Sequence, residues 1–487
     1  MFKILVLKEL KSILLSPKFT ATFAVCSVLL LLSTYLGIRE YQSVARQYAA
    51  ANELVQQEIR EARQWMTVNS RVYREPNPLQ VFSSGIQNDI GRFSGISAWR
   101  PVKLVHSAYS DDPIFAVFRF IDVAFIIQVV LTLLAILFTY DAINGERETG
   151  TLQLTFSNAV SRVEFVTAKF VGTWLGLVAP LSVPFALCIV LLIVFSVPIT
   201  GLQWVQLAVF FGVSLLFVTF FVAYGLLVST LTRRSNVSFL FSLVSWVAFV
   251  LIIPRAGVML AGQIVKVPTV AETESQQDAY SKNRWNDHMK EMQKIWRERE
   301  ESMRGLTQDQ RKAKMGEMEW TWAEEMDNFR KKVLADIDEN ARKLQEDVRN
   351  RRIEQERLAF NISRVSPVAA YQLAVMNLSE TDISLKTRYE DALNMYRTTF
   401  NQFKDRKQKE SGNAGGLRIT FDTNAGLKID TGREVALDLT EMPQFRPAAL
   451  SMGDLLGRLP VDIAILAALA ILAFAGALIS FLRYDVR

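Results

Sequence analysis

Apolar and polar positions alternate along this chain in long blocks. A window of about 19 residues picks out six hydrophobic runs, at 19–38, 122–140, 170–197, 204–231, 237–253 and 461–482. As helices rising 1.5 Å per residue, each can cross a hydrocarbon core of about 30 Å. The first run is too long to be the apolar core of a signal peptide. It continues as REYQSVARQY with no small-residue cleavage site.

The polar blocks have patterns of their own. In residues 1–18, Phe2, Leu5 or Val6, Leu10 and Ile13 recur near helical spacing with lysines between them. This predicts an amphipathic helix in the membrane interface, ended by Pro17. Residues 39–121 form a first long polar region, helical over 39–75 and loop-like from 76, where Pro, Gly, Ser and Asn accumulate. Arg119 and Asp122 at its end read as an interfacial anchor pair, as does Arg255 after the fifth run.

Residues 254–460 form the second long region. Charged, helix-forming sequence fills 272–361, with a break at RGLTQDQ, where Thr307 and Gln310 fit a capping box. Met315, Met318, Trp322, Met326, Phe329, Val333, Ile337, Leu344 and Val348 form one apolar stripe. The pattern predicts a long helical hairpin reaching away from the membrane, its stripe used for packing. An amphipathic helix follows SPVAAYQLAVMNLSETD. The alternation in LRITFDT and LKID then predicts a β-hairpin. No convincing internal repeat is present. The fold class is mainly α: a six-span polytopic membrane protein with a large, mostly helical extracytoplasmic domain and a small β-hairpin element.

Charge sets the expected orientation. Lys3, Lys8, Lys11 and Lys18 precede the first run, and Arg147, Arg162 and Lys169 lie between the second and third. Arg233 and Arg234 separate the fourth and fifth, and Arg483 and Arg487 follow the last. The PITGLQ turn has neither Lys nor Arg. By the positive-inside rule both termini, the 141–169 loop and the 483–487 tail are cytoplasmic. The net charge of +6 then reflects topology and mixed-sign helices, and no nucleic-acid partner is expected. The two cysteines, Cys26 and Cys188, both lie within apolar runs, so the outer regions carry no disulfide.

Motifs for intrinsic chemistry are missing. His106 and His288 are the only histidines, and neither has a Cys or second His nearby. The chain contains no HExxH, GxSxG or GxxxxGK[ST]. The third, fourth and fifth runs have no acidic residue in their cores, unlike a proton-driven pump. No catalytic, metal or cofactor-binding residue is expected, and any power source belongs to a partner chain.

The loop YDAINGERETGTLQLTFSNAVSR, between the second and third runs, is compact and charged. Glu146 and Glu148 suit a helix start, Gly150 a turn, and Thr151 a cap. Together with six spans and a basic amphipathic start, the pattern E-R-E-x-G-T-L resembles an ABC-2 type transporter permease. Glu146, Arg147, Glu148, Gly150, Thr151 and Leu152 carry the match, with Arg162 and Lys169 in its continuation. The insert before the last run, SPVAAYQLAVMNLSETD and the LRYDVR tail resemble permeases of gliding-motility and nitrous-oxide-reductase-maturation systems. The resemblance implies a bacterial inner-membrane protein whose loop docks on a separate ABC ATPase, which holds the ATP and Mg. It also implies a second permease subunit, identical or homologous. Membrane lipids and an extracytoplasmic protein are further partners considered.

The permease half of an ABC exporter is the leading reading, with the substrate class open: a lipid, a peptide or another amphiphile. A mechanical device, passing ATPase motion through the outer helices to an envelope partner, is the second. A membrane scaffold without an ATPase is the third.

Overall fold

The computed structural model describes residues 1–62, 68, 70–87, 90–96, 122–158, 160–305, 308–410, 418–422, 426–430, 437, 439, 441–446 and 452–483. The chain forms two compact units, Met1–Arg255 with Ser363–Arg487, and Ala256–Ile362.

The first unit opens with helix α1 (Phe2–Leu14) and helix α2 (Pro17–Glu61). Ser16 separates them. Its Oγ accepts from the Phe19 N–H at 3.1 Å, and Pro17 takes the first helical position, where its missing N–H costs nothing. Pro17 therefore starts α2 after α1 has already ended at Leu14. Helix α2 continues unbroken past the apolar run because REYQSVARQYAAANELVQQEI contains neither Gly nor Pro. Its 45 residues reach about 68 Å.

Strands β1 (Ser70–Tyr73) and β2 (Phe93–Ile96) pair antiparallel, Ser70 opposite Ile96 and Tyr73 opposite Phe93. The stretch between them has the composition of a surface loop, yet Leu79, Val81, Phe82, Ile86 and Ile90 are buried. Distant groups satisfy its backbone. Ala124 N–H donates to Phe82 O at 2.9 Å, Ile86 N–H to Thr381 O at 3.1 Å, and Thr381 Oγ1 to Ser83 O at 3.1 Å. Gly85, at φ +47°, lies so close to Thr381 that a Cβ would meet its carbonyl oxygen at 2.3 Å.

Helix α3 runs through Val123–Ile126, a π-helical turn at Ile127–Leu131 and Thr132–Thr139. Asp122 caps it. Oδ1 accepts from Phe125 N–H at 2.8 Å, and Oδ2 accepts from the Ser84 N–H and hydroxyl at 2.8 and 3.0 Å. Arg119, its expected companion, lies outside the described residues.

Short helices α4 (Asn144–Glu148) and α5 (Thr151–Ser157) precede α6 (Arg162–Val194) and α7 (Gly201–Leu231). Helix α8 comprises Ser235–Val247, a second π-helical turn at Ala248–Ile252, and Ile253–Ile264. Hydropathy places Pro254 at a span end, but the helix passes through it. Proline removes one ladder hydrogen bond, and the π-turn just before it absorbs the mismatch.

In the second unit, α9 (Val270–Met303) and α10 (Gln308–Ser363) form an antiparallel pair. Arg284 Nε lies 2.9 Å from Asp336 Oδ2, and the His288 and Phe329 rings are 6.3 Å apart. Thr269 and Glu272 make a capping box at the start of α9, while Gly305, at φ +96°, lies in the connection. From the apolar stripe, Val333 is fully buried. Thr307 and the side chains of Met315, Met318, Trp322 and Met326 lie outside the described residues.

Back in the first unit come α11 (Pro367–Leu378), α12 (Ser384–Glu410), strands β3 (Arg418–Asp422) and β4 (Gly426–Asp430), and α13 (Met452–Leu482). The two strands pair antiparallel. At about 18 Å, α11 is too short to cross a bilayer, yet it is buried on nearly every side. The Tyr371 ring stacks on Phe217 at 4.3 Å and its hydroxyl lies 3.1 Å from Ser214 Oγ. Just before α11, Ser366 Oγ donates to Phe249 O in the second π-turn at 2.6 Å, and Arg364 bonds the fully buried Asp462 of α13 at 2.6 Å.

Among the described residues, six helices are long and apolar enough to cross a membrane: Pro17–Glu61, Val123–Glu148, Arg162–Val194, Gly201–Leu231, Ser235–Ile264 and Leu459–Leu482. The fold is mainly α with six candidate spans.

Candidate functional site

The loop between α3 and α6 is two short helices joined at Gly150, which adopts φ +74°. That left-handed conformation suits glycine alone among the residues here. Gly150 itself occupies the capping position of α5, and Thr151 is its first helical residue. Thr151 Oγ1 donates back to Glu146 O at 3.2 Å, so it braces the turn and does not cap α5.

The underside of the loop is apolar. Ala142, Ile143, Leu152 and Val160 are buried with Phe165, Val166, Leu226, Ala477 and Phe481, from α6, α7 and α13. This burial fixes both short helices against three spans. Helices this short would not hold together in water unaided.

Its polar side chains each grip a different span. Asn144, fully buried, is held at the C-terminal end of α7. With its amide oriented to satisfy both sides, it donates to the Ser229 and Thr232 carbonyls, both at 2.7 Å, and accepts from Thr232 Oγ1 at 2.8 Å. Glu148 reaches the start of α8, where its two oxygens accept from the Ser235 N–H at 2.8 Å and hydroxyl at 2.9 Å. Arg162 Nη1 donates to the Leu482 carbonyl at the end of α13.

Glu146 enters a charge cluster. Its Oε1 lies 2.8 Å from Lys169 Nζ and 3.1 Å from Lys8 Nζ. Lys169 also bonds Glu9 Oε2 of α1 at 2.7 Å. Lys169 and Glu9 are both buried, and Glu146 is mostly so. Two carboxylates and two ammonium groups balance, which makes the burial tolerable.

Helix α1 is drawn up against α6. A Cβ on Gly172 would meet Glu9 Cβ at 2.6 Å, and one on Gly176 would meet Ile13 Cδ1 at 3.3 Å. The N-terminal amino group lies 3.9 Å from Glu164. These three contacts advance together, so the two helices run in the same direction side by side. The opposite face of α1 leaves Ile4, Leu7 and Leu14 exposed.

The sequence places Glu146, Arg147, Glu148, Gly150, Thr151, Leu152 and Arg162 in one loop, and the structure sorts them by role. Leu152 is core; Glu146, Glu148 and Arg162 are ties to the spans. Arg147 is half-buried and also engaged. The surface left facing outward is largely uncharged: Thr149, Gly150, Thr151, Gln153, Leu154, Ser157 and Asn158 are all exposed, Leu154 at 68%.

Sequence reasoning missed Glu9, Asn144 and Ser235. Glu9 had a signal, since it interrupts the Leu5–Glu9–Ile13 stripe of α1, and a charge on an apolar stripe calls for a partner. Ser235 and Asn144 had none, because their partners come from other segments. A search of curated proteins found no match to this sequence. Residues 4–486 match the family described as ABC-2 family transporter protein, and the chain belongs to that family.

Proposed function

We propose that this protein is the permease subunit of an ABC-2 type exporter, driven by a separate ABC ATPase that docks on the 141–162 loop. Membership of the family supports a permease role. The observation that carries the docking reading is the division of the loop into two faces. Its inner side is bonded to α1, α6, α7, α8 and α13. Its outer side offers the exposed Leu154 amid small polar groups. An apolar knob with a polar rim is what a cleft on a soluble partner recognises.

In this reading ATP and Mg bind the partner. Two permeases, identical or homologous, pair with two ATPases in a bacterial cytoplasmic membrane. Both termini and the docking loop face the cytoplasm, as the basic residues beside the spans support. The substrate is an amphiphile, in keeping with spans whose cores carry few charges.

The test is co-purification from detergent of tagged wild type, Leu154→Glu, and the double variant Glu146→Lys, Glu148→Lys, with mass identification of bound chains. A P-loop ATPase that accompanies wild type and is lost from Leu154→Glu supports the docking face. Absence of any ATPase from wild type overturns the reading in favour of a membrane scaffold.

A further inference from the structure

We infer that Glu9 is a positioning residue that makes α1 part of the moving unit, so that displacement of the 141–162 loop is passed to α1 and α6 as one body. The inference rests on the docking reading above and adds a route for the motion.

Three observations carry it. Lys169 is buried and bonds two carboxylates from different elements, Glu9 of α1 at 2.7 Å and Glu146 of the loop at 2.8 Å. An ammonium has three donors and no fixed plane, so it can hold both at once. Second, Glu9 crosses α6 at Gly172, where the approach leaves no room for a Cβ. One turn on, Ile13 fills the space over Gly176. Helix α1 is thus packed on α6 over successive turns and cannot roll without parting that charge pair. Third, Lys8 reaches the same Glu146 oxygen from the solvent side at 3.1 Å. The loop carboxylate is gripped by α1 directly and through Lys169.

Separating charges in a poorly solvated site is costly, so such contacts are stiff. A partner that shifts α4 by moving Glu146 must carry Lys169 with it, and Glu9 obliges α1 to follow. Without Glu9, Lys169 and Glu146 still pair and the loop keeps its docking face. What is lost is the buried link of α1 to that movement; the Lys8–Glu146 contact that stays is on the solvent side, with Lys8 half exposed, and holds α1 only weakly.

The experiment uses the full permease co-purified with its ATPase and reconstituted in lipid. It compares wild type with Glu9→Gln, with Lys169→Arg, and with the double variant Glu9→Gln, Lys169→Met. The double variant leaves Glu146 on Lys8 and creates no unpaired buried cation, so it guards against misfolding. Complex yield, melting temperature and ATP turnover are measured together. The expected result is wild-type yield and melting for Glu9→Gln and the double variant, with ATP turnover changed by roughly fivefold or more, the lower range for allosteric coupling. Lys169→Arg, which keeps the charge and both bonds, restores turnover.

A change in turnover smaller than about fivefold in an intact complex overturns the inference, leaving α1 a passive brace. Loss of the complex in Glu9→Gln overturns it as well, since Glu9 then serves docking. Failure of the docking reading is recognised separately, by a wild-type permease that brings down no ATPase.

Discussion

Glu148 and Ser235 are 87 residues apart in sequence, yet the Glu148 carboxylate accepts both the N–H and the hydroxyl of Ser235. The loop thereby caps α8 in place of a residue next to it in sequence. The first N–H groups of a helix have no partner within it, and a carboxylate there also favours the helix dipole. Glu148→Ala is therefore expected to speed amide hydrogen exchange at Ser235 and Asn236. Glu148→Gln, which keeps one acceptor, should fall between Ala and wild type. Exchange measured by mass spectrometry checks this, and unchanged protection in Glu148→Ala would refute the capping role.

The two glycines under α1 make different demands. At Gly172 a Cβ would meet Glu9 Cβ and Cγ, at 2.6 and 3.0 Å, and the Val6 carbonyl at 3.2 Å. Those atoms lie at the root of α1, so the helix itself must shift. At Gly176 the neighbours are the outer methyl groups of Ile13, at 3.3 Å, which can turn aside. Gly172→Ala should cost about 1–3 kcal/mol, as overpacking does, and expose α1 to proteolysis. Gly176→Ala should stay within about 1 kcal/mol, since the better helix propensity of alanine offsets the crowding. Unfolding in mixed micelles measures both. Equal effects at the two positions would show that α1 is not seated as described.

The spans were legible from hydropathy because burial in lipid demands about twenty consecutive apolar residues. The limits of the sequence lie elsewhere. Helix α2 runs on to Glu61 because nothing in its polar half stops a helix. Pro254 looks like a boundary by its chemistry, but a π-turn accommodates it. The 78–87 stretch looks like surface loop, yet it is largely buried because Thr381 and Asp122, far away in sequence, satisfy its polar groups. At the loop, the E-R-E-x-G-T-L pattern marks the candidate segment but not the direction of its charges. Glu146 and Glu148 turn toward Lys169 and Ser235, residues that only the fold brings near.

Spans α3 and α7 meet at Gly225. A Cβ there would lie 1.8 Å from Thr139 Oγ1 and 2.8 Å from Thr139 Cβ. Thr139 cannot swing away freely, since its hydroxyl donates to Ala135 O at 2.6 Å. Gly225→Ala is expected to force the two helices apart at a cost of about 1–3 kcal/mol. Adding Thr139→Gly should recover most of that loss, because the space is returned from the other side. The double-mutant cycle measures this coupling directly. Additive effects would mean that the helices do not touch at this point.

Arg364 and Asp462 join the start of α11 to α13. The carboxylate is fully buried and the guanidinium bonds it through two nitrogens, at 2.6 and 3.3 Å. Removing the cation alone strands a buried charge, so Arg364→Met should destabilise by about 3–5 kcal/mol. The paired change Arg364→Met, Asp462→Leu removes both charges and fills the space with apolar atoms. It should regain most of that stability, because an apolar pair of similar volume often equals a buried ion pair. Thermal unfolding in detergent of the two variants and wild type decides the matter. If the double variant is as unstable as Arg364→Met, the pair is not simply balancing charge, and its geometry at the α11–α13 junction is what the fold requires.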